Sequence, residues 1–235
     1  MAQFLDLNQG VGVLNPKWAN SLATVVSRFG SIGEEVVRPG SGFLIGRKAN
    51  RCYLATAGHM LFNHDRKAFP NKIEVWLGRN GTAFAHNFVF ARDVAQRCMV
   101  LSKYRNGNDA DRDADIGLVR IDEALEGFGW FPSSSVMPLT GKAKLIGYPQ
   151  DSNGNQSNRP LHKIVEVLVN GPDNFDYAQH FNYPGLSGGP LVGQTTTNDE
   201  PRVFGVHTRG SPETARAVRL SENVRSQLRD WINQQ

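Results

Sequence analysis

Two short stretches carry residues that could together hydrolyse an acyl bond. Residues 185–192 read Gly-Leu-Ser-Gly-Gly-Pro-Leu-Val and offer Ser187 as a nucleophile. A serine hydroxyl attacks a carbonyl efficiently only when a base removes its proton, and an imidazole, which titrates near neutrality, suits that task. Residues 56–59, Thr-Ala-Gly-His, supply His59. We therefore predict that Ser187 is the nucleophile and His59 the general base.

A third stretch offers a carboxylate for the base. A catalytic histidine needs an acceptor that fixes its tautomer and stabilises its cation. Residues 113–119 read Asp-Ala-Asp-Ile-Gly-Leu-Val, so Asp115 directly precedes an apolar strand and is placed to be buried. We predict that Asp115 orients His59.

The acidic residues before Asp115 also match the start of a calcium-binding loop. Aspartates stand at 109, 111 and 113, at alternate positions. Such a loop needs glycine at its sixth position and glutamate at its twelfth, and this chain has Ala114 and Arg120 there. The pattern therefore favours an exposed polar loop, and no metal site is expected.

The order His59, Asp115, Ser187 on a β-rich chain resembles the chymotrypsin-type serine proteases, over roughly residues 33–235. The resemblance implies an all-β fold of two six-stranded antiparallel barrels with the site between them. It implies peptide hydrolysis through an acyl-enzyme, with no metal or organic cofactor. It also assigns the N–H groups of Gly185 and Ser187 to the oxyanion hole, where a side chain at 185 would crowd the reacting oxygen.

Residues 205–210, Gly-Val-His-Thr-Arg-Gly, align with the strand that lines the first substrate pocket in this family. A histidine at the place of His207 is similar to the V8-type glutamyl endopeptidases and the viral 3C-type proteases, where it hydrogen-bonds an acidic or amide side chain. We add Thr208 to the expected pocket, with Asn182 as a candidate further donor and Arg209 as a positive charge if it points inward. We expect cleavage after Glu, with Gln or Asp as lesser choices; a purely structural role for His207 stays open.

Other functions are compatible with parts of the sequence. The HtrA-type proteases are similar in Ser-Gly-Gly-Pro-Leu-Val and would have another specificity, and a catalytically silent binding module could keep the same fold. Gly-Leu-Ser-Gly-Gly also fits the nucleophile elbow of α/β-hydrolases. That elbow requires a helix after the serine, and the following Pro-Leu-Val-Gly is poor helix material.

Many short strands separated by Gly and Pro turns make up the body of the chain. At the N-terminus, Asn15 and Pro16 resemble a helix start, and apolar residues at 18, 22, 25, 26 and 29 follow at helical spacing. At the other end, Ser221 is a candidate N-cap for a helix with an apolar stripe. We therefore predict five segments: an N-terminal helical extension (1–30), a first barrel lobe (31–125), a linker (126–140), a second lobe (141–220) and a C-terminal helix (221–235).

Composition excludes several classes of partner. The net charge is +4, but basic and acidic residues are interleaved, so neither a nucleic-acid patch nor a membrane surface is indicated, and no apolar run is long enough to span a bilayer. No secretory signal is visible, which favours the cytoplasm, although a secreted mature form stays open. The two cysteines, Cys52 and Cys98, are expected to be buried thiols in a reducing compartment, and a bridge between them is the alternative. The expected partners are a protein or peptide substrate and a regulatory protein that contacts the N-terminal helix.

Overall fold

The computed structural model describes residues 5–6, 16–31, 33–107, 112–136, 141–151, 153–178, 183–193, 200–210 and 214–235. These residues form two antiparallel β-sheets that follow one another along most of the chain. The all-β architecture predicted from the sequence is thereby confirmed. The described sheets contain seven and eight strands, and the larger count includes two strands of only two residues each.

The first sheet has the strand order β6-β5-β2-β3-β4-β8-β7. Its strands are β2 (Leu22–Phe29), β3 (Val36–Lys48), β4 (Arg51–Thr56), β5 (Lys72–Leu77), β6 (His86–Phe90), β7 (Cys98–Val100) and β8 (Gly117–Ile121). Short helices lie between them: α2 (Gly58–Leu61), α3 (Val94–Arg97), α4 (Ser102–Asn106) and a 3₁₀ turn (Arg112–Ala114).

The second sheet has the order β1-β10-β9-β13-β14-β15-β12-β11. Its strands are β1 (Leu5–Asp6), β9 (Lys142–Gly147), β10 (Leu161–Glu166), β11 (Leu168–Val169), β12 (Asn174–Ala178), β13 (Pro190–Gly193), β14 (Arg202–Gly210) and β15 (Thr214–Arg219). A short helix α1 (Pro16–Ala19) precedes the first sheet, and helix α5 (Glu222–Gln234) closes the chain.

The prediction of an N-terminal helix over 15–30 was wrong. Helix α1 has only four residues, and Leu22–Phe29 is strand β2, paired with β3 on one edge and β5 on the other. Leu22 and Val25 are buried on this interior strand, whose first four residues are buried on both faces. The sequence of such a strand is nearly continuously apolar, so it also contains apolar residues at the spacing expected of a helix. A regulatory partner therefore has no exposed helix to contact over 22–29.

The C-terminal helix was predicted correctly. Ser221 Oγ accepts a hydrogen bond from the backbone N–H of Val224 at 3.2 Å, which caps the first turn. Val224 and Leu228 are buried, and Trp231 packs edge-on against Tyr53 of the first sheet, with ring centroids 5.8 Å apart. Helix α5 thus covers part of the first lobe although it follows the second in sequence.

Both cysteines are buried free thiols, so the bridge between Cys52 and Cys98 does not form. Burial raises the pKa of the Cys98 thiol to about 12. Neither thiol therefore resembles a reactive cysteine, and both act as small apolar side chains. Within the described part of the chain, no helix combines the length and apolar character that a membrane span would need.

Candidate active site

Sheet pairing brings His59 and Asp115 together. Strands β4 and β8 are antiparallel neighbours in which Thr56 pairs with Gly117. The end of β4 therefore lies beside the start of β8. His59 comes shortly after the end of β4, and Asp115 comes shortly before the start of β8. His59 Nδ1 lies 2.9 Å from Asp115 Oδ2, and the His59 backbone N–H donates to Asp115 Oδ1 at 2.7 Å. The carboxylate thus holds both the ring and the main chain of the histidine.

The Asp115 carboxylate is completely buried. Burial alone would raise its pKa, but the charge and hydrogen bonds of His59, with the charge of Arg209, outweigh burial and hold the pKa below its usual value. Arg209 Nε lies 3.5 Å from the same Oδ2 atom that faces His59 Nδ1. An ionised carboxylate at this point favours the tautomer that carries hydrogen on Nδ1 and leaves Nε2 as the basic atom.

Ser187 lies in the turn that precedes β13, and its hydroxyl donates to the carbonyl oxygen of Thr208 on β14 at 3.0 Å. The turn is close to the helix that carries His59. A Cβ atom added at Gly40 would lie 2.7 Å from Met60 Sδ and 2.8 Å from Ser187 O. The backbone of this glycine therefore lies between Met60 and the Ser187 turn and contacts both. The turn that carries Ser187 thus lies beside the helix that carries His59, and the serine hydroxyl is directed at a carbonyl of the second lobe.

Two N–H groups of the turn find no acceptor within the described part of the chain. The N–H groups of Leu186, Gly188 and Gly189 donate to backbone carbonyls, whereas those of Gly185 and Ser187 have no hydrogen-bond partner among the described residues. Gly185 has φ near +90°, and a Cβ atom there would lie 2.5 Å from Tyr148 O. Only glycine fits this conformation and this space. The two free donors are the ones that the family resemblance assigns to an oxyanion hole.

His207 is buried on β14, and its ring is held by a residue that sequence reasoning missed. The Tyr177 hydroxyl contacts His207 Nδ1 through a hydrogen bond. Burial, with the charge of nearby His59, lowers the pKa of His207 to about 3 against a smaller opposing effect of Asp115. Burial also raises the pKa of Tyr177 well above its usual value. At neutral pH the pair is therefore an uncharged imidazole and an uncharged phenol.

The other predicted pocket residues have different environments. Thr208 is buried, and its hydroxyl donates to Arg216 O at 3.3 Å. Arg209 contacts Asp115 and lies 3.4 Å from the Tyr104 hydroxyl, and its role in the pocket of His207 stays a prediction. The strand register shifts between His207 and Arg209, and this irregularity breaks the alternation of side chains. Asn182 lies outside the described residues.

A cavity of about 250 Å³ opens beside the imidazole. Arg38 lies on its wall and donates to the His59 carbonyl. The remaining lining is aromatic and charged, formed by Phe62, His64, Asp65, Tyr104 and Arg209. This side of the histidine is therefore accessible and carries charged groups.

Comparison with known proteins identifies the family. The trypsin-like peptidase domain matches residues 40–198, more than half of the chain. The chain belongs to the trypsin-like peptidase family. The match contains His59, Asp115 and Ser187, and the strand that follows Ser187, Pro190–Gly193, agrees with this family and excludes the helix of an α/β-hydrolase elbow.

Individual members give further detail. The chain is 27% identical over 204 residues to a glutamyl endopeptidase of Bacillus licheniformis; the match covers 82% of this chain and 59% of that relative's length. A solved Glu endopeptidase in complex with MPD superposes with a TM-score of 0.70 at 20% identity, covering 96% of each chain. A solved structure named GrC gives 0.67 at 15% identity, covering 94% of this chain and 97% of the other. The two structures confirm the chymotrypsin-like double-barrel fold.

Proposed function

We propose that this trypsin-like peptidase is a serine endopeptidase that cleaves peptide bonds through an acyl-enzyme. The observation that carries the proposal is the pairing of Asp115 with both the ring and the backbone of His59, beside the Ser187 turn. A buried carboxylate on Nδ1 prepares Nε2 to accept a proton. The family membership and the similarity to a glutamyl endopeptidase support the same activity.

The proposed reaction has two halves. Ser187 Oγ first rotates from the Thr208 carbonyl toward His59, then attacks the carbonyl carbon of the substrate while Nε2 takes its proton. The tetrahedral intermediate collapses when the imidazolium returns that proton to the leaving amine, which departs and leaves an ester on Ser187. Water, deprotonated by the same nitrogen, then attacks the ester carbonyl and forms a second tetrahedral intermediate. When this intermediate collapses, the bond to Ser187 Oγ breaks, the imidazolium returns its proton to that oxygen, and the acid is released.

The oxygen of each tetrahedral intermediate carries a negative charge that needs fixed donors. The N–H groups of Gly185 and Ser187, which donate to no other group among the described residues, are proposed to supply them. Loss of one such donor costs about 100- to 1000-fold in kcat in enzymes of this kind. The turn is thus proposed to provide the largest share of transition-state stabilisation outside the triad.

We propose a preference for Glu at the residue before the cleaved bond, with Gln next. When the Tyr177 hydroxyl donates to His207 Nδ1, the imidazole carries its hydrogen on Nε2 and can donate it to a carboxylate or amide oxygen. His207 is uncharged at neutral pH and the Arg209 guanidinium contacts Asp115, so this preference rests on hydrogen bonding more than on charge. Gln should therefore be a good second substrate.

A peptide library tests both parts of the proposal. Wild-type protein and Ser187→Ala are incubated with the library at neutral pH, and the cleaved bonds are read by mass spectrometry. We expect cuts after Glu and fewer after Gln, all absent from Ser187→Ala. Cuts after Arg, Lys or large apolar residues would contradict the proposed pocket, and the absence of any cut would contradict the proposed activity.

A further inference from the structure

Ser41 connects the first lobe to the turn that carries the nucleophile. It lies in β3 and is 1% exposed. Its backbone N–H donates to Ser187 O at 2.7 Å, and its hydroxyl donates to Gly185 O at 2.7 Å. The same hydroxyl accepts from the Tyr148 N–H at 2.9 Å, and the Ser41 carbonyl accepts from Thr56 Oγ1 at 2.8 Å. Ser41 therefore holds two carbonyl groups of the turn, those of Gly185 and Ser187.

The proton on the Ser41 hydroxyl has a defined position. A backbone N–H can only donate, so the Tyr148 contact makes Ser41 Oγ an acceptor there. Its own hydrogen is then free for the Gly185 carbonyl, which can only accept. Alanine at position 41 would leave the Tyr148 N–H and the Gly185 carbonyl, both buried, without this partner.

The two proposed oxyanion donors belong to peptides that are already fixed at one end. The Pro184 carbonyl accepts from the Gln150 N–H at 2.7 Å. Because the peptide is trans, the Gly185 N–H points in the opposite direction. The Ser187 N–H belongs to the peptide that begins at the Leu186 carbonyl, and this carbonyl accepts the Gly189 N–H at 2.8 Å.

The peptide between these two begins at the Gly185 carbonyl. Its N–H, on Leu186, makes only a long hydrogen bond of 3.4 Å to the Tyr183 carbonyl. The 2.7 Å hydrogen bond from the Ser41 hydroxyl to the Gly185 carbonyl is therefore the shorter of the two that hold this peptide.

We propose that Ser41 is a positioning residue that sets the angle between the two oxyanion donors by holding the Gly185 carbonyl. Rotation about the Gly185 backbone would otherwise be easy, because glycine lacks a Cβ atom. Ser41 limits this rotation from the opposite lobe, so docking of the lobes assembles the oxyanion hole. The inference rests on the proposed peptidase activity and adds a residue outside the triad to it.

The test compares Ser41→Ala with Thr56→Val. The control removes a buried hydrogen bond to the same residue, at 2.8 Å, but leaves the Ser41 hydroxyl in place. With the peptide that wild type cleaves best, Ser41→Ala should lose about 10- to 100-fold in kcat with little change in KM. Thr56→Val should keep kcat within about threefold of wild type, the margin expected without damage to an oxyanion donor.

A second readout separates positioning from simple stability. A peptide aldehyde forms a tetrahedral adduct with an oxyanion, whereas the corresponding product acid binds without one. Ser41→Ala should weaken aldehyde binding by the same factor as kcat/KM and leave product binding unchanged. Equal aldehyde affinity in Ser41→Ala and wild type, or an equal loss in Thr56→Val, would overturn the inference.

Ser41→Cys provides the measurement if the alanine variant does not fold. A thiol is a weak donor, so kcat and aldehyde affinity should be intermediate between those of wild type and an enzyme without the bond. Wild-type values for Ser41→Cys would contradict the inference. Failure of the proposed activity itself would be visible separately, as a wild-type protein that neither cleaves peptides nor binds the aldehyde, and it would remove the inference as well.

Discussion

Asp115 holds His59 at two points, since Oδ2 faces the ring nitrogen Nδ1 at 2.9 Å and Oδ1 accepts the backbone N–H at 2.7 Å. Asp115→Asn should keep the fold but lose about 10⁴-fold in kcat, because an amide hydrogen facing Nδ1 favours the wrong tautomer. Steady-state kinetics at pH 7 measure the loss. Asp113→Asn, which removes a carboxylate paired with Lys103, is the control and should be fully active. Activity of Asp115→Asn within tenfold of wild type would contradict the assigned role.

Arg209 shares the Oδ2 atom of Asp115 with His59. Its positive charge helps to keep the buried Asp115 carboxylate ionised by lowering the pKa of that group. Arg209→Gln should therefore let Asp115 take up a proton more readily and lower kcat/KM at acidic pH, with a larger loss at low salt than at high salt. The exposed Arg47→Gln is the matched control. Equal kcat/KM of wild type and Arg209→Gln at acidic pH would show that the charge of Arg209 does not support the carboxylate.

Buried His207 should make stability depend on pH. Its pKa is lowered to about 3 in the folded protein, whereas an unfolded chain has a value near 6.5. Below pH 6.5 the unfolded state binds a proton that the folded state does not, so the free energy of unfolding should fall by about 2 kcal/mol between pH 7 and pH 5.

Urea unfolding at several pH values measures this fall. His207→Gln should remove most of it, while His86→Gln, at a half-exposed histidine, should leave it unchanged. Identical pH dependence in wild type and His207→Gln would show that His207 is not the neutral buried group described above.

Gly185 combines a positive φ with a tight contact. Gly185→Ala should lose at least about 100-fold in kcat, because its Cβ atom would lie 2.5 Å from Tyr148 O and displace an oxyanion donor. Gly171→Ala has the same kind of φ, +99°, with nothing within 4 Å, so it should show only the backbone strain and keep its activity. Kinetics of the two variants, each with its denaturant midpoint, separate the effects. Equal activities would contradict the oxyanion assignment.

The predicted catalytic residues came from short motifs, because Ser187, His59 and Asp115 each stand next to a turn or strand that is visible locally. Tyr177 and Ser41 carry no such mark. Their contacts arise from strand pairing and lobe packing between residues 30 and 144 positions apart. No local sequence pattern indicates such contacts, so the roles of both residues could be seen only in the structure.

The error over 22–29 has a related cause. Leu22 and Val25 fit a helical stripe, but they lie on an interior strand whose first part is buried on both faces. Thr-Val-Val at 24–26 is β-branched and favours a strand, and this signal outweighs spacing in the structure. The contact of Arg209 with Asp115 was also not visible in the sequence, since it follows a register shift within β14.

The measurement that tests the central claim most directly is labelling by a fluorophosphonate probe, which reacts only with an activated serine. Wild type, His59→Ala and Ser187→Ala are treated at neutral pH, and the modified residue is located by mass spectrometry. We predict rapid labelling of wild type on Ser187, labelling of His59→Ala at least about 1000-fold slower, and none of Ser187→Ala. A folded wild-type protein that stays unlabelled would show that the serine held on the Thr208 carbonyl is not a nucleophile, and that this trypsin-like fold serves binding instead.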